Sequence, residues 1–229
     1  MSMGAGLSGE VALASRGQAD PGTGAGAGQA GAGATAGAGA QAQMEDLSVA
    51  PGVAPWLGGR IGIAGDNEAG VTYTGRALRV DGRHAFSLGA PTLSVGLGAS
   101  AILARRPGSG TDGSSVYGGG LDVPVLLGFQ TRADLYALWF GPRIGYELLR
   151  GRLQTEGATE PGATPSFADV SAGHLRLGFV LGARAGFRHL HVGVEVGAAY
   201  HRAEGTLGGS RLTLEQATIT PAGALLLTF

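Results

Sequence analysis

The side chains able to do chemistry in this sequence are few and widely spaced. It has five histidines and no cysteine, so thiolate metal sites and disulfides are excluded. His189 and His191 share a strand edge, and His174 and His201 are expected to approach each other near the loop end of neighbouring strands. No carboxylates stand at the spacing that would complete a metal site with them, so interior hydrogen bonding or an interfacial position is the expected role. His201, Glu204 and Ser210 bring hydrolytic parts together by proximity within one hairpin. Their spacing defines no triad, and the G-x-S-x-G nucleophile motif does not occur. The sequence therefore reads as non-enzymatic, with no catalytic residue, no metal site and no cofactor.

The charges are more informative than the histidines. Charged residues make up only 14% of the chain and the net charge is −1, which offers no field for nucleic acid. Every one of the 16 basic residues is arginine. Two groups stand out by position. Arg60, Asp122, Arg143, Glu147, Arg176, Arg184 and Glu195 lie singly within alternating segments, whereas Arg105, Arg106, Arg150, Arg152, Arg202 and Arg211 gather at the ends of such segments.

The elements that must position these residues follow from periodicity. From about Pro55 onward the chain alternates with period two, the mark of strands with two unlike faces. In Tyr117–Phe129 the odd positions Tyr117, Leu121, Val123, Val125, Leu127 and Phe129 are apolar, while Gly118, Gly120, Asp122 and Gly128 oppose them. In the segment from Tyr136 the apolar set is Tyr136, Leu138, Phe140, Ile144, Tyr146 and Leu148, against Gly141, Arg143, Gly145 and Glu147. The same rule holds through His174–Phe187, Leu190–His201 and Leu225–Phe229. Eight strands are expected, at about 56–64, 70–80, 84–104, 115–130, 135–149, 173–187, 190–204 and 213–229. Val80–Arg83 and Gly89–Thr92 compete for the first hairpin turn. Pro124, Pro142 and Pro221 fall inside strands, where each removes a ladder donor and a bulge is expected.

Residues 1–54 read differently. Gly22–Gln43 uses only Gly, Ala, Thr and Gln, which cannot bury a core, so a disordered N-terminal segment is expected, followed by one barrel domain over 55–229. Its G-x-G repeats have neither the strand before nor the helix after that a phosphate loop needs. The first residues carry Glu10 where the apolar core of a secretory leader would run, so no signal peptide is visible.

Alternation alone does not say which face is the core, because a soluble sandwich and a membrane barrel alternate alike. Three features favour apolar-outward. The non-apolar face is mostly glycine, as in a narrow barrel interior and unlike a water-facing strand surface. Aromatics sit at both ends of the apolar faces: Phe129, Tyr136, Phe187 and Phe229 at one, Tyr117, Tyr146 and Tyr200 at the other. Short and long connections alternate. No run of ~18 apolar residues exists to form a transmembrane helix.

On these segments, and on Leu225, Leu227 and Phe229 as apolar residues alternating up to a terminal aromatic, the chain resembles the small outer-membrane β-barrels of the OmpA-like and OmpX-like group. The resemblance implies an all-β, eight-stranded antiparallel up-and-down transmembrane β-barrel. It also implies outer-membrane localisation and a last strand read by the barrel-assembly machinery. Gly223 and Pro221 depart from the expected outward pattern.

Within such a barrel the single charges should pair. Closing Gln130 opposite Leu135 puts Asp122 across from Arg143, and closing Phe187 opposite Leu190 sets Arg184 diagonal to Glu195. An ion-pair plug is expected. The arginines at the segment ends suit lipopolysaccharide phosphates through bidentate guanidinium contacts. The expected role is envelope structure, surface interaction through loops, or a subunit of a trans-envelope assembly, with envelope proteins as possible partners. A small-solute porin, a lipid-A-modifying enzyme and a soluble lipocalin-like barrel are the alternatives.

Overall fold

The computed structural model describes residues 2–20, 42–45, 52–102, 115–131, 135–154 and 167–229, with backbone alone for 14–20, 52 and 154. Ten antiparallel strands form a closed up-and-down barrel. They are β1 (Ser2–Asp20), β2 (Gly52–Gly62), β3 (Asn67–Tyr73), β4 (Ala77–Ser87), β5 (Pro91–Ile102), β6 (Ser115–Gln130), β7 (Tyr136–Gln154), β8 (Phe167–Phe187), β9 (Leu190–Leu207) and β10 (Ser210–Thr228). Each pairs with its neighbours in the chain, and β1 closes on β10.

Ten strands replace the expected eight for two reasons. The first is β1, placed by composition in a disordered tail. Its odd residues Met3, Leu7 and Val11 are outward and about half exposed, while Ser2, Gly4, Gly6, Ser8 and Glu10 turn inward. It pairs with β10 from Ser2↔Thr228 to Asp20↔Arg211, with one shift between Ala12 and Ala14, and with β2 from Ser2↔Arg60 to Glu10↔Gly52. The Gly/Ala-rich run after β1 lies outside the described residues up to position 41, and residues 42–45 form a single helical turn.

The second reason is that the stretches 70–80 and 84–104 contain three strands, β3, β4 and β5. The chain reverses at 74–76, where Gly75 has φ +75°, and at 88–90, where Gly89 has φ +95°. Val80–Arg83 looked like turn chemistry, yet it lies mid-strand in β4, because Asp81 is buried between the guanidiniums of Arg60 and Arg79. A buried, doubly paired carboxylate outweighs a local turn preference.

The expected bulges at Pro124, Pro142 and Pro221 do not occur. Register stays constant through Pro124↔Arg143, Pro142↔Phe179 and Pro221↔Val196. Each of the two flanking ladders meets the strand through alternate residues, so a missing N–H interrupts one ladder without shifting it.

The turns 63–66, 88–90 and 188–189 lie at one end of the barrel, together with Ser2, Gln130, Tyr136 and Phe229; this is the turn end. The turns 74–76 and 208–209 lie at the other, the loop end, together with the strand ends Asp20, Gly52, Ile102, Ser115, Gln154 and Phe167. Between them the apolar faces point outward. Leu138, Ile144, Leu181, Val194 and Leu225 are all more than 40% exposed, while Asp81, Asp122, His174 and His201 are buried inside. The bands run from Tyr136 to Tyr146, Leu177 to Phe187, Leu190 to Tyr200 and Ile219 to Phe229. Each spans ten residue steps, about 33 Å along the strand. A tilt of ~40° shortens this to about 25 Å, the height of a bilayer's apolar band.

Beyond this band, toward the loop end, the polarity of the wall reverses. In β7 the outward residues become Arg150 and Arg152 and the inward ones Leu149 and Leu153. In β8 the outward residues become Asp169 and Ser171 and the inward ones Ala168, Val170 and Ala172. In β9 and β10, Arg202, Glu204, Thr206 and Arg211 face out over inward Ala203, Leu207, Leu212 and Leu214. Among the described residues, the buried apolar core is this inner collar, with Ile102, Val116 and Met44 of the helical turn completing it. The barrel is thus apolar outside over one storey and apolar inside over the next.

Candidate functional site

Below the collar, the interior holds a belt of polar side chains to which all ten strands contribute, β5 through Ser100 and without a charge. On one side lie the arginines. Asp122 of β6 takes Arg79 of β4 through both oxygens, at 2.7 and 2.8 Å, and Arg143 of β7 at 3.2 Å. Asp81 is clamped by Arg60 and Arg79, with Arg83 Nε at 3.6 Å, and Arg60 also reaches Glu68 at 3.4 Å. Strand β5 supplies room instead of charge. A Cβ at Gly98 would collide with the Arg79 guanidinium and the Asp122 carboxylate, and one at Gly96 would fall 2.9 Å from Arg83 Cγ. The glycine-rich inner face is therefore the space into which its neighbours' long side chains fold.

On the other side runs a chain of hydrogen bonds across five consecutive strands. Glu147 Oε2 of β7 lies 3.2 Å from His174 Nδ1 of β8, and His174 Nε2 lies 3.0 Å from His201 Nδ1 of β9. His201 Nε2 meets Thr218 Oγ1 of β10 at 2.9 Å, and Thr218 Oγ1 donates to Glu10 Oε1 of β1 at 3.2 Å. Both imidazoles are about 2% exposed, so partners on both ring nitrogens remove the cost of burying unpaired polar atoms. Among the described residues, no group of three or more His, Cys, Asp or Glu is arranged to hold a metal.

Every interior charge expected from the sequence lies on the inward face. Asp122 and Arg143 are in contact, although the register differs from expectation by two residues: Asp122 stands opposite Gly145, and Arg143 opposite Pro124. The β6–β7 connection is longer than the tight turn assumed, and Arg143 reaches its partner diagonally. Arg176 faces Asp122 across Gly145, where a Cβ would lie 3.4 Å from Arg176 Nη2. Phe187 does close opposite Leu190, which leaves Arg184 diagonal to Glu195. The Glu195 carboxylate accepts from Trp139 Nε1 at 2.8 Å. Glu147 serves the histidine chain, and Arg60 the Asp81 clamp.

Sequence reasoning missed Arg79, Asp81 and Arg83, hidden by the competing turn, and Glu10, hidden in the tail. Trp139 was legible. It occupies an odd position in β7, on the same face as Arg143, where an aromatic must find a polar partner.

At the loop end, Arg150, Arg152, Arg202 and Arg211 are exposed on the outer wall; Arg105 and Arg106 lie outside the described residues. Arg152 pairs with Asp169 at 3.0 Å, and Arg202 Nε with Glu204 at 2.8 Å. Arg150, Arg202 and Arg211 line a groove of roughly 510 Å³ with Tyr146, Leu148 and Leu175. This places guanidiniums directly above an apolar floor. Its depth comes from Gly173, because a Cβ there would sit 2.6 Å from the Tyr146 hydroxyl.

At the turn end, Leu225, Leu227 and Phe229 point outward, with Phe229 72% exposed. Thr228 is tied to the β8–β9 turn: its N–H donates to the His189 carbonyl at 2.9 Å, and His189 Nδ1 lies 2.8 Å from the Thr228 carbonyl.

No protein-family model matches the chain, and neither does any curated protein. Among solved structures, the chain is similar to Neisserial surface protein A (NspA), at 8% identity and a TM-score of 0.35, over 100% of this chain and 96% of that one. It is also similar to Ail, the attachment invasion locus protein of Yersinia pestis, at 8% identity and a TM-score of 0.28, over 96% of each chain.

Proposed function

We propose that this chain is a non-enzymatic outer-membrane β-barrel that serves envelope structure or surface interaction, with the loop end facing outward and its rim binding lipopolysaccharide phosphates. The observation that carries the reading is the reversal of wall polarity. An apolar outer wall bounded by aromatics needs a bilayer, and a wall polar outside and apolar inside needs water. One barrel containing both supports a protein that spans a membrane and projects beyond it. The interior belt supports a plugged lumen over a small-solute porin, since charged side chains of β2, β4, β6 and β7 pair within it. The terminal Leu225, Leu227 and Phe229 present the outward pattern proposed as the signal for barrel assembly.

The rim groove fits an amphiphilic phosphate ligand. Guanidinium forks suit phosphate oxygens, and Leu148 and Leu175 offer acyl contact immediately below. Membrane fractionation with and without detergent tests the location; release into buffer without detergent would overturn it. For the rim, the triple variant Arg150→Ala, Arg202→Ala, Arg211→Ala is expected to co-purify with less lipopolysaccharide than the parent. Unchanged co-purification would refute the contact. Stable large conductance in planar bilayers would refute the plug.

A further inference from the structure

The apolar collar at the loop end poses a question that the membrane reading leaves open. A barrel wall standing in water needs only a polar exterior; an interior lined by Leu149, Val170, Ala203, Leu207, Leu212 and Leu214 must also be covered. Among the described residues, one short element covers it. Residues 42–45 make one helical turn, far below the length at which a helix is stable alone. From this turn Met44, 1% exposed, enters the collar, and Glu45 Oε1 accepts from Gln216 Nε2 at 2.7 Å. Gln216 sits at the collar's floor, on the inward face of β10 between Leu214 and Thr218, and is 1% exposed. Its other amide atom, Oε1, is buried with no hydrogen-bond partner.

The plug thus offers the chamber an unbranched apolar chain beside a carboxylate, and it satisfies only half of the buried carboxamide at the floor. We infer that the loop-end collar is a binding chamber for a linear aliphatic carboxylic acid, and that the Met44–Glu45 turn occupies it as a displaceable stand-in. The aliphatic chain takes the place of the Met44 side chain among the leucines and valine. The acid head replaces the Glu45 carboxylate. Its carbonyl accepts from Gln216 Nε2, and its hydroxyl donates to Gln216 Oε1, completing the pairing that Glu45 leaves unfinished. In sequence, the turn follows the Gly- and Ala-rich stretch that begins at Gly22. None of the rim arginines takes part, so the outcome is independent of lipopolysaccharide binding.

The absence of cysteine allows a direct test on the full-length barrel held in amphipol. A single Met44→Cys substitution places a thiol on the plug, and its reaction with a membrane-impermeant maleimide reports displacement. Saturating dodecanoic acid is expected to raise the labelling rate roughly tenfold or more, by mass action on the open form. Dodecyltrimethylammonium, with the same chain and no acid head, should leave the rate unchanged. On the unaltered protein, dodecanoic acid with a diazirine at its chain end should crosslink to inward residues such as Leu149, Leu212 or Leu214. An unchanged labelling rate overturns the inference, as does equal acceleration by both amphiphiles. Crosslinks confined to the outward residues Leu148 and Leu177 overturn it without reference to any variant.

Discussion

Replacing Asp122 by asparagine removes one charge from the centre of the interior belt while changing almost no volume. The Asp122 side chain is 7% exposed, and it holds Arg79 by two hydrogen bonds and Arg143 by a third contact. Charge centres about 4 Å apart attract by about 4 kcal/mol at an effective dielectric of ~20. Much of this offsets the desolvation of the ions, and the substitution leaves that desolvation in place. Arg79, 13% exposed, keeps Asp81, whereas Arg143, 32% exposed, loses its contact. The immediate cluster goes from four arginines (60, 79, 83 and 143) against three carboxylates (68, 81 and 122) to four against two. The expected cost is about 3–5 kcal/mol, the range for removing one partner of a buried pair. Arg143→Met should cost less, about 1–2 kcal/mol, because Asp122 retains its fork with Arg79. Guanidinium-induced unfolding in lipid vesicles, followed by the fluorescence of Trp56 and Trp139, measures both values, and the double variant supplies their coupling. If Asp122→Asn falls within about 0.5 kcal/mol of the parent, the interior charges are solvated one by one and the paired belt is wrong.

The glycines of β5 make a complementary prediction. Gly98→Val should destabilise by about 1–3 kcal/mol through overpacking against Arg79 and Asp122, while Gly62→Ala, whose Cβ would meet nothing within 4 Å, should stay near the parent in the same unfolding assay. His174→Leu strands Glu147 and His201 inside the barrel and should cost about 2–4 kcal/mol, with a smaller loss for His174→Gln, which keeps hydrogen-bonding groups. The polarity reversal is tested on one strand: Val194→Arg, mid-band in β9, should cost about 2–4 kcal/mol in a bilayer, and Thr206→Arg, beyond the reversal, about none. Phe229→Asp should lower the yield of assembled barrel in membranes, read as the heat-modifiable band on gels, far more than Asn67→Asp in the β2–β3 region; equal yields would remove the C-terminal strand end from the assembly signal.

Legibility in the sequence followed side-chain contrast. Strands β6 to β10 alternate large apolar residues with glycine and charge, so their existence, their faces and the inward positions of Asp122, Arg143, His174, His201 and Glu195 could all be read by parity. In β1 the outward positions include Ala5 and Gly9 between Met3, Leu7 and Val11, so the contrast is weak, and a low-complexity run follows it directly. In β4 the Asp-Gly pair at 81–82 imitates a turn, and only its neighbours reveal that the carboxylate is clamped.

What the sequence determined by itself is therefore the alternation, the antiparallel up-and-down order of the later strands, and which residues share a face, because a period of two is a local property of the backbone. Tertiary structure decided the number of strands, the register between β6 and β7, and which arginine meets which carboxylate. Those depend on closure of the barrel, where β1 must find β10 across the whole chain and long side chains reach diagonally through space left by glycines on a third strand. The reversal of wall polarity lies between the two. Each residue of it is written in the sequence, but its meaning appears only once the strands are aligned and their outward residues change character together at one level of the wall.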